Sequence, residues 1–224
     1  MERAGVDFRR YLLLWGACLL GSLSVIPHMA YAGLVHSPLP WALLVLQSLI
    51  LFGLACGLSA LVVPRTDLAP FQRVRLLPAL ITGVAVGLLL RLLNKTVFSG
   101  AALSIHPPAW TGALASLYGG INEEVMLRLF LFTLVYFLFC KVFRPSERGR
   151  PYALWTTNIL VALLFGLAHM PAAFKLLDPS PLEWCRILVL NGVAGIAFGW
   201  LYWTRGLWTA MVAHFTCDLM IHLV

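Results

Sequence analysis

Two adjacent carboxylates, Glu123 and Glu124, stand in GGINEEVMLR at residues 119–128, with Arg128 four residues after the second. His169 follows in FGLAHMP, and His214 and Asp218 stand four apart in GLWTAMVAHFTCDL. Carboxylates beside imidazoles suit proton transfer to and from water, and such groups also stabilise developing negative charge. Glu124 and Arg128 at i and i+4 share one helix face, with the acid N-terminal as ion pairing prefers. Arg128 can therefore hold Glu124 ionised. Glu123 points about 100° away on an α-helix and is free to act on water. Two neighbouring carboxylates also push one pKa upward, which suits a base.

Plainer readings compete. A structural Glu–Arg clasp explains Glu124 and Arg128 but gives Glu123 no reason to be there. A lone His169 on an apolar face is more often a satisfied core residue. A His214–Asp218 pair at i and i+4 can be structural, fix one imidazole tautomer, bind a metal or support an oxyanion.

The surroundings decide how much these groups cost. The chain has 224 residues, 61% hydrophobic and 11% charged, with mean hydropathy +0.89. A soluble domain is about half apolar and a quarter charged. Seven apolar stretches are long enough to cross a bilayer, at about 11–31, 41–63, 77–97, 110–140, 152–171, 184–203 and 206–224. An uncovered strand would leave backbone groups unpaired in lipid, so these are helices. The expected fold is all-α: a polytopic membrane bundle of about seven transmembrane helices, eight at most, enclosing a polar cavity. It forms one integral-membrane domain over 1–224, with three motif-free spans in 1–98 and the chemistry in 110–220. Gly119-Gly120 marks a bend in the long fourth stretch, and Pro171 ends the fifth.

Glu123, Glu124 and Asp218 are the acids inside these spans. A charge near the bilayer centre costs about 2.5–3.5 kcal/mol on insertion scales, so a wet or compensated site is implied. By helical rise, Asp218 and His214 lie about 9 and 15 Å below the outer end of the seventh span. Glu123 and Glu124 lie about a turn below the outer end of the fourth, and His169 near the outer end of the fifth. All can line one cavity in one half of the membrane.

With the N-terminus inside, the inner segments hold Arg3, Arg9, Arg10, Arg65, Arg73, Arg75, Lys141, Arg144, Arg148, Arg150 and Arg205, against Lys95, Lys175 and Arg186 outside. This asymmetry places the N-terminus in the cytoplasm and the protein in the cell membrane as a multi-pass chain. The net charge of +7 fits anionic lipid head groups, and no nucleic-acid motif is present. Arg9-Arg10, the apolar run and Ala30-Tyr31-Ala32 resemble a cleavable signal peptide, but the run is long and reads as a retained helix. The cysteines, Cys18, Cys56, Cys140, Cys185 and Cys217, stand singly and read as small buried hydrophobes. His28, His36, His106 and His222 lie near span ends or in loops and weigh less. Arg91 snorkels or pairs within the bundle. Gly192, Gly195 and Gly199 read as a packing stripe for the sixth helix.

Glu-Glu-x-x-x-Arg at 123–128, Phe-x-x-x-His at 165–169 and His-x-x-x-Asp at 214–218 resemble, in order and in helix placement, the CAAX protease and bacteriocin-processing family. RGLWTAMVAH resembles that family's run into its last histidine. These are intramembrane glutamic endopeptidases, prenyl-protein endoproteases among them. The resemblance spans about 110–220. It implies Glu123 as the base that activates water with help from His169, Glu124 and Arg128 as its supports, and His214 with Asp218 at the oxyanion. The family often has Asn where this chain has Asp218. An ionised Asp cannot donate a hydrogen bond, so Asp218 is expected to orient His214 instead.

The expected activity is hydrolysis of a peptide bond in a membrane-associated peptide or protein, as in CAAX-type processing or bacteriocin or signal-peptide maturation. No cofactor is required. Its partners are membrane lipid and a substrate near the membrane surface. The first alternative is a zinc peptidase with His169, His214 and Glu123 as ligands, although H-E-x-x-H is lacking. Others are a non-enzymatic immunity or scaffold protein and a proton-coupled transporter, the latter opposed by the lack of a repeated half. The topology opens the site outward, whereas a prenylated C-terminus made in the cytosol would need the inverse.

Overall fold

The computed structural model describes residues 7–34, 38–101, 107–176 and 180–223, and every regular element among them is helical. Arg3, His36 and His106 lie outside the described residues. In chain order the helices are α1 (Phe8–Ser24), α2 (Ile26–Tyr31), α3 (Pro38–Val62), α4 (Leu76–Thr96), α5 (Ala109–Leu117), α6 (Thr133–Phe143), α7 (Arg150–Ala168), α8 (Met170–Leu176), α9 (Pro181–Arg205) and α10 (Leu207–Leu223). Two π-helical segments, Tyr118–Glu123 and Val125–Phe132, join α5 to α6.

Six helical stretches are long and apolar enough to cross a membrane: Phe8–Tyr31, Trp41–Arg65, Leu76–Thr96, Ala109–Phe143, Arg150–Ala168 and Pro181–Arg205. The shorter α10 has 17 residues, at the lower end of what spans a hydrocarbon core. This is the expected polytopic helix bundle. Between 22% and 39% of each long apolar window is buried inside the bundle. The remaining faces, with Leu12, Leu13 and Leu20 each more than 60% exposed, are left for lipid.

Through Gly119-Gly120 the fourth span runs on as part of one 35-residue helix, Ala109–Phe143. Helical hydrogen bonding continues there with the wider π spacing, a geometry frequent at functional sites. Pro171 does not stop the chain from coiling; it sits in the first turn of α8, where a missing N–H costs nothing. The helix is interrupted one step earlier, at His169.

α10 sits at the centre. It packs most extensively on α4, and also on α5, α9 and the first π segment. α7 and α9 form the other large helix pair. Small residues allow these approaches, as expected where packing rather than the hydrophobic effect drives association. A Cβ on Gly195 would meet Ala162 at 2.9 Å, and one on Gly199 would overlap the Asn158 amide, whereas Gly192 faces open space. Two of the three stripe glycines therefore seat α9 on α7. Among the cysteines, Cys18, Cys56 and Cys217 are buried as expected, Cys140 is half-buried and Cys185 is exposed.

Candidate active site

Gly119 and Gly120 decide how close the fourth span comes to α10. A Cβ on Gly119 would strike Asp218 Oδ2 and come within 3.3 Å of His214 Nε2. One on Gly120 would meet Phe215 Cβ at 2.9 Å and the Met211 carbonyl at 3.0 Å. The doublet is therefore a close-contact surface that lets the carboxylates one turn later reach α10.

Behind them Asn122 anchors the same segment to α1. Its amide nitrogen donates to the Cys18 carbonyl at 2.8 Å and to Ser22 Oγ at 2.9 Å, fully buried. This residue was missed in the sequence. Its signal was a fourth polar side chain in the same apolar stretch, beside the glutamates.

Glu124 and Arg128 are buried together, with Arg128 Nε 3.4 Å from Glu124 Oε2. Arg128 Nη2 donates to the Gly195 carbonyl at 3.3 Å. The guanidinium also lies over the rings of Phe165 and Phe198, 5.6 and 6.0 Å from their centres, a cation–π setting strengthened by the absence of water. A buried charge needs such neutralisation to be tolerable.

The other Glu124 oxygen serves His214. His214 Nδ1 donates to Glu124 Oε1 at 2.9 Å, and the imidazole stacks on Phe198 at 4.6 Å. Asp218 Oδ1 stands 3.7 Å from His214 Nε2, beyond hydrogen-bond reach. The helical neighbour expected to orient His214 therefore does not hold it; Glu124, from another helix, does.

Glu123 faces a different way. Its Oε1 is 4.0 Å from His169 Nε2 and its Oε2 is 3.7 Å from His214 Nε2, with 21% of the side chain exposed. His169 lies at the break between α7 and α8, and its Nδ1 meets the Phe165 carbonyl at 2.9 Å. A carbonyl can only accept, so Nδ1 carries a proton and Nε2 is turned toward Glu123. The Phe165 ring packs edge-on against His169 at 4.9 Å.

All six predicted site residues, Glu123, Glu124, Arg128, His169, His214 and Asp218, thus fall into one cluster drawn from three spans. Among the described residues no group of three His, Cys, Asp or Glu side chains is set to hold a metal ion. Two cavities meet the cluster. One, of about 370 Å³, has Glu123 and His169 on its wall and is otherwise mostly apolar, with Val25, Met29, Phe52 and Met126. The other, of about 530 Å³, reaches His214 and Asp218. Phe165 borders both.

A family model described as type II CAAX prenyl endopeptidase Rce1-like matches residues 105–220, half of the chain and every residue of the cluster. The chain belongs to the Rce1-like CAAX endopeptidase family. No curated protein and no solved structure matches it. As a member of that family it is a protease with a multi-pass membrane architecture. The matched part of this Rce1-like protein begins just before α5 and ends within α10. The three N-terminal spans lie outside the match, yet α1 supplies the anchor for Asn122 and α3 supplies Phe52 to the apolar cavity.

Proposed function

We propose that this Rce1-like protein is an intramembrane glutamic endopeptidase in which Glu123, assisted by His169, activates water against a peptide bond. The observation that carries the reading is the position of Glu123. Of the two partly exposed carboxylates of the cluster, Glu123 and Asp218, it is the one within 4.0 Å of the Nε2 atoms of two histidines from different helices. Both gaps exceed direct hydrogen-bond reach and suit an intervening water.

In this reaction Glu123 takes a proton from water, with the basic Nε2 of His169 sharing the load. The oxygen attacks the scissile carbonyl carbon. His214, held by Glu124 through Nδ1, donates from a protonated Nε2 to the developing oxyanion. The proton returns from the Glu123–His169 pair to the departing amine as the C–N bond breaks, leaving a carboxylic acid and an amine, and the acid then passes its proton on to give carboxylate and ammonium. Preorganised donors in a dry site are worth far more than in water. Arg128 neutralises Glu124 so that His214 keeps its orientation.

The substrate is a membrane-associated peptide or protein whose apolar part enters beside Phe52 and Met126. A prenylated chain of the kind the family description names fits that cavity's chemistry, and one made in the cytosol reaches it only in the inverse orientation, with the N-terminus outside. The reaction draws on no metal, and the protein resides in the cell membrane with its N-terminus in the cytoplasm.

The test is Glu123→Gln in reconstituted protein. Cleavage should fall by about 10²–10⁴-fold, the scale of general base catalysis, while the thermal unfolding profile is retained. Full cleavage by the variant refutes the assignment. Cleavage by the parent should persist in a strong chelator; its loss would favour metal chemistry instead.

A further inference from the structure

The cavity that holds Glu123 and His169 has a further polar group on its wall that the proposed chemistry does not use. Tyr118 lines the same space of about 370 Å³, whose remaining lining is mostly apolar. The residue is half-buried, and among the described residues its hydroxyl has no hydrogen-bond partner. A buried tyrosine usually finds one. The fully buried Tyr202, by contrast, has its hydroxyl 2.6 Å from Thr133 Oγ1. Local helix geometry accounts for the placement of Tyr118. It and Glu123 are the first and last residues of the first π segment. On an α-helix residues five apart point about 140° away from each other. The wider i→i+5 turn of a π-helix brings them toward one face. Both side chains accordingly border one cavity, and the Glu123 charge acts on the phenol.

A water held inside a protein makes about three hydrogen bonds. In the proposed reaction Glu123 and His169 Nε2 both accept from the attacking water, which leaves it in need of a donor. The other polar groups on this wall are committed. Asn122 spends its amide nitrogen on the Cys18 carbonyl and Ser22 Oγ, and its oxygen is turned to Gly21. His169 Nδ1 is spent on the Phe165 carbonyl. Among the described residues Tyr118 is therefore the side-chain donor still free beside Glu123 and His169.

We propose that the Tyr118 hydroxyl is a catalytic donor that holds the attacking water against Glu123 and His169. This rests on the peptidase reading above and adds a residue to it. The water turns its two hydrogens toward the Glu123 carboxylate and His169 Nε2, and one of its lone pairs accepts from Tyr118. The remaining lone pair is aimed at the scissile carbonyl carbon and forms the new C–O bond. The phenol keeps its proton throughout. The proton that reaches the departing amine still comes from the water by way of the Glu123–His169 pair.

The test uses full-length protein in phosphatidylcholine vesicles and a prenylated, membrane-anchored peptide. Tyr118→Phe, Glu123→Gln and the double variant are compared with the parent. Tyr118→Phe deletes one oxygen and keeps the ring, so the thermal unfolding profile should match that of the parent. Its kcat should fall about ten- to hundredfold, the scale on which misplaced reacting groups act, while KM stays within about twofold. In the Glu123→Gln background the same change should cost less than about threefold, because groups that act as a unit are not additive. A kcat within about threefold of the parent overturns the proposal, since a wall that only packs keeps its ring. So does a raised KM at unchanged kcat, or full additivity with Glu123→Gln; either result puts the hydroxyl on the substrate rather than on the water. Full cleavage by Glu123→Gln, or none by the parent, sinks the peptidase reading and with it the water that Tyr118 holds. Loss in Glu123→Gln with parent-like cleavage by Tyr118→Phe sinks the role of the tyrosine alone.

Discussion

His214 Nδ1 lies 2.9 Å from Glu124 Oε1, and this contact between residues ninety positions apart is what joins the fourth span to α10 chemically. Glu124 is shared. One oxygen accepts from His214 and the other faces Arg128 at 3.4 Å. The imidazole is therefore oriented by a carboxylate that is itself neutralised, and its free face, Nε2, is turned toward Glu123 and Asp218.

Removing Glu124 should therefore do more than loosen a histidine. Glu124→Ala leaves the fully buried Arg128 without its counter-charge, and breaking such a pair costs about 3–5 kcal/mol. Thermal unfolding in detergent should show that loss. Glu124→Leu/Arg128→Met removes both charges and should recover much of the stability, since replacing both members of a buried pair by apolar groups is often neutral. Cleavage should remain absent in the double variant because His214 has lost its orienting partner. Parent-like stability in the single variant would show that the pair is not a clasp.

Asp218 is expected to tolerate an amide. It stands 3.7 Å from His214 Nε2 and makes no hydrogen bond to it. Asn preserves the shape and adds a donor that an ionised carboxylate lacks. Asp218→Asn should keep kcat/KM within about threefold of the parent, less than 1 kcal/mol in the barrier. A hundredfold drop would instead assign a catalytic duty to the Asp218 charge.

The sequence displayed the helical parts of this site and hid the interhelical ones. Glu124 and Arg128 share a face by spacing alone, and the order of the three motifs on apolar helices led to the family. Membrane spans were legible because lipid enforces long apolar runs. The partner of His214 was not. At i+4 Asp218 is the natural local choice, while Glu124 arrives only through packing of distant helices. Nor could spacing reveal the π geometry at Tyr118–Phe132, because the same residues in an α-helix satisfy the apolar pattern equally well. Pro171 was read as a stop when it is a start, since a proline suits both the residue after one helix and the first turn of the next.

Asn122 separates support from chemistry. Its two buried bonds tie the motif segment to α1, but it touches none of the six clustered side chains by hydrogen bond or ion pair. Hydrogen bonds between membrane helices average about 0.6 kcal/mol each. Asn122→Leu, of similar size, should cost about 1–2 kcal/mol of stability for the two bonds and an awkward fit. Cleavage at low temperature, measured on the folded fraction, should drop far less than for Glu123→Gln. If the two variants lose cleavage equally while Asn122→Leu stays folded, Asn122 belongs to the reacting groups.

Gly119→Ala tests whether the glycine doublet exists for contact with α10. The added methyl has no room: it overlaps Asp218 Oδ2 and approaches His214 Nε2 to 3.3 Å. Overpacking of this kind costs about 1–3 kcal/mol and pushes the helices apart. Cleavage should fall with it, because the Glu124–His214 bond spans that same gap. Helix propensity works in the opposite direction, since Ala is favoured over Gly by about 1 kcal/mol, so any net loss reports the clash. The second variant, Asp218→Ala, removes the atom that is struck. In a double-mutant cycle the pair should be more stable than the sum of the single changes predicts, by about 0.5–3 kcal/mol for residues in contact. Strict additivity would mean that Gly119 and Asp218 do not meet, and the close approach of the fourth span to α10 would have to be abandoned.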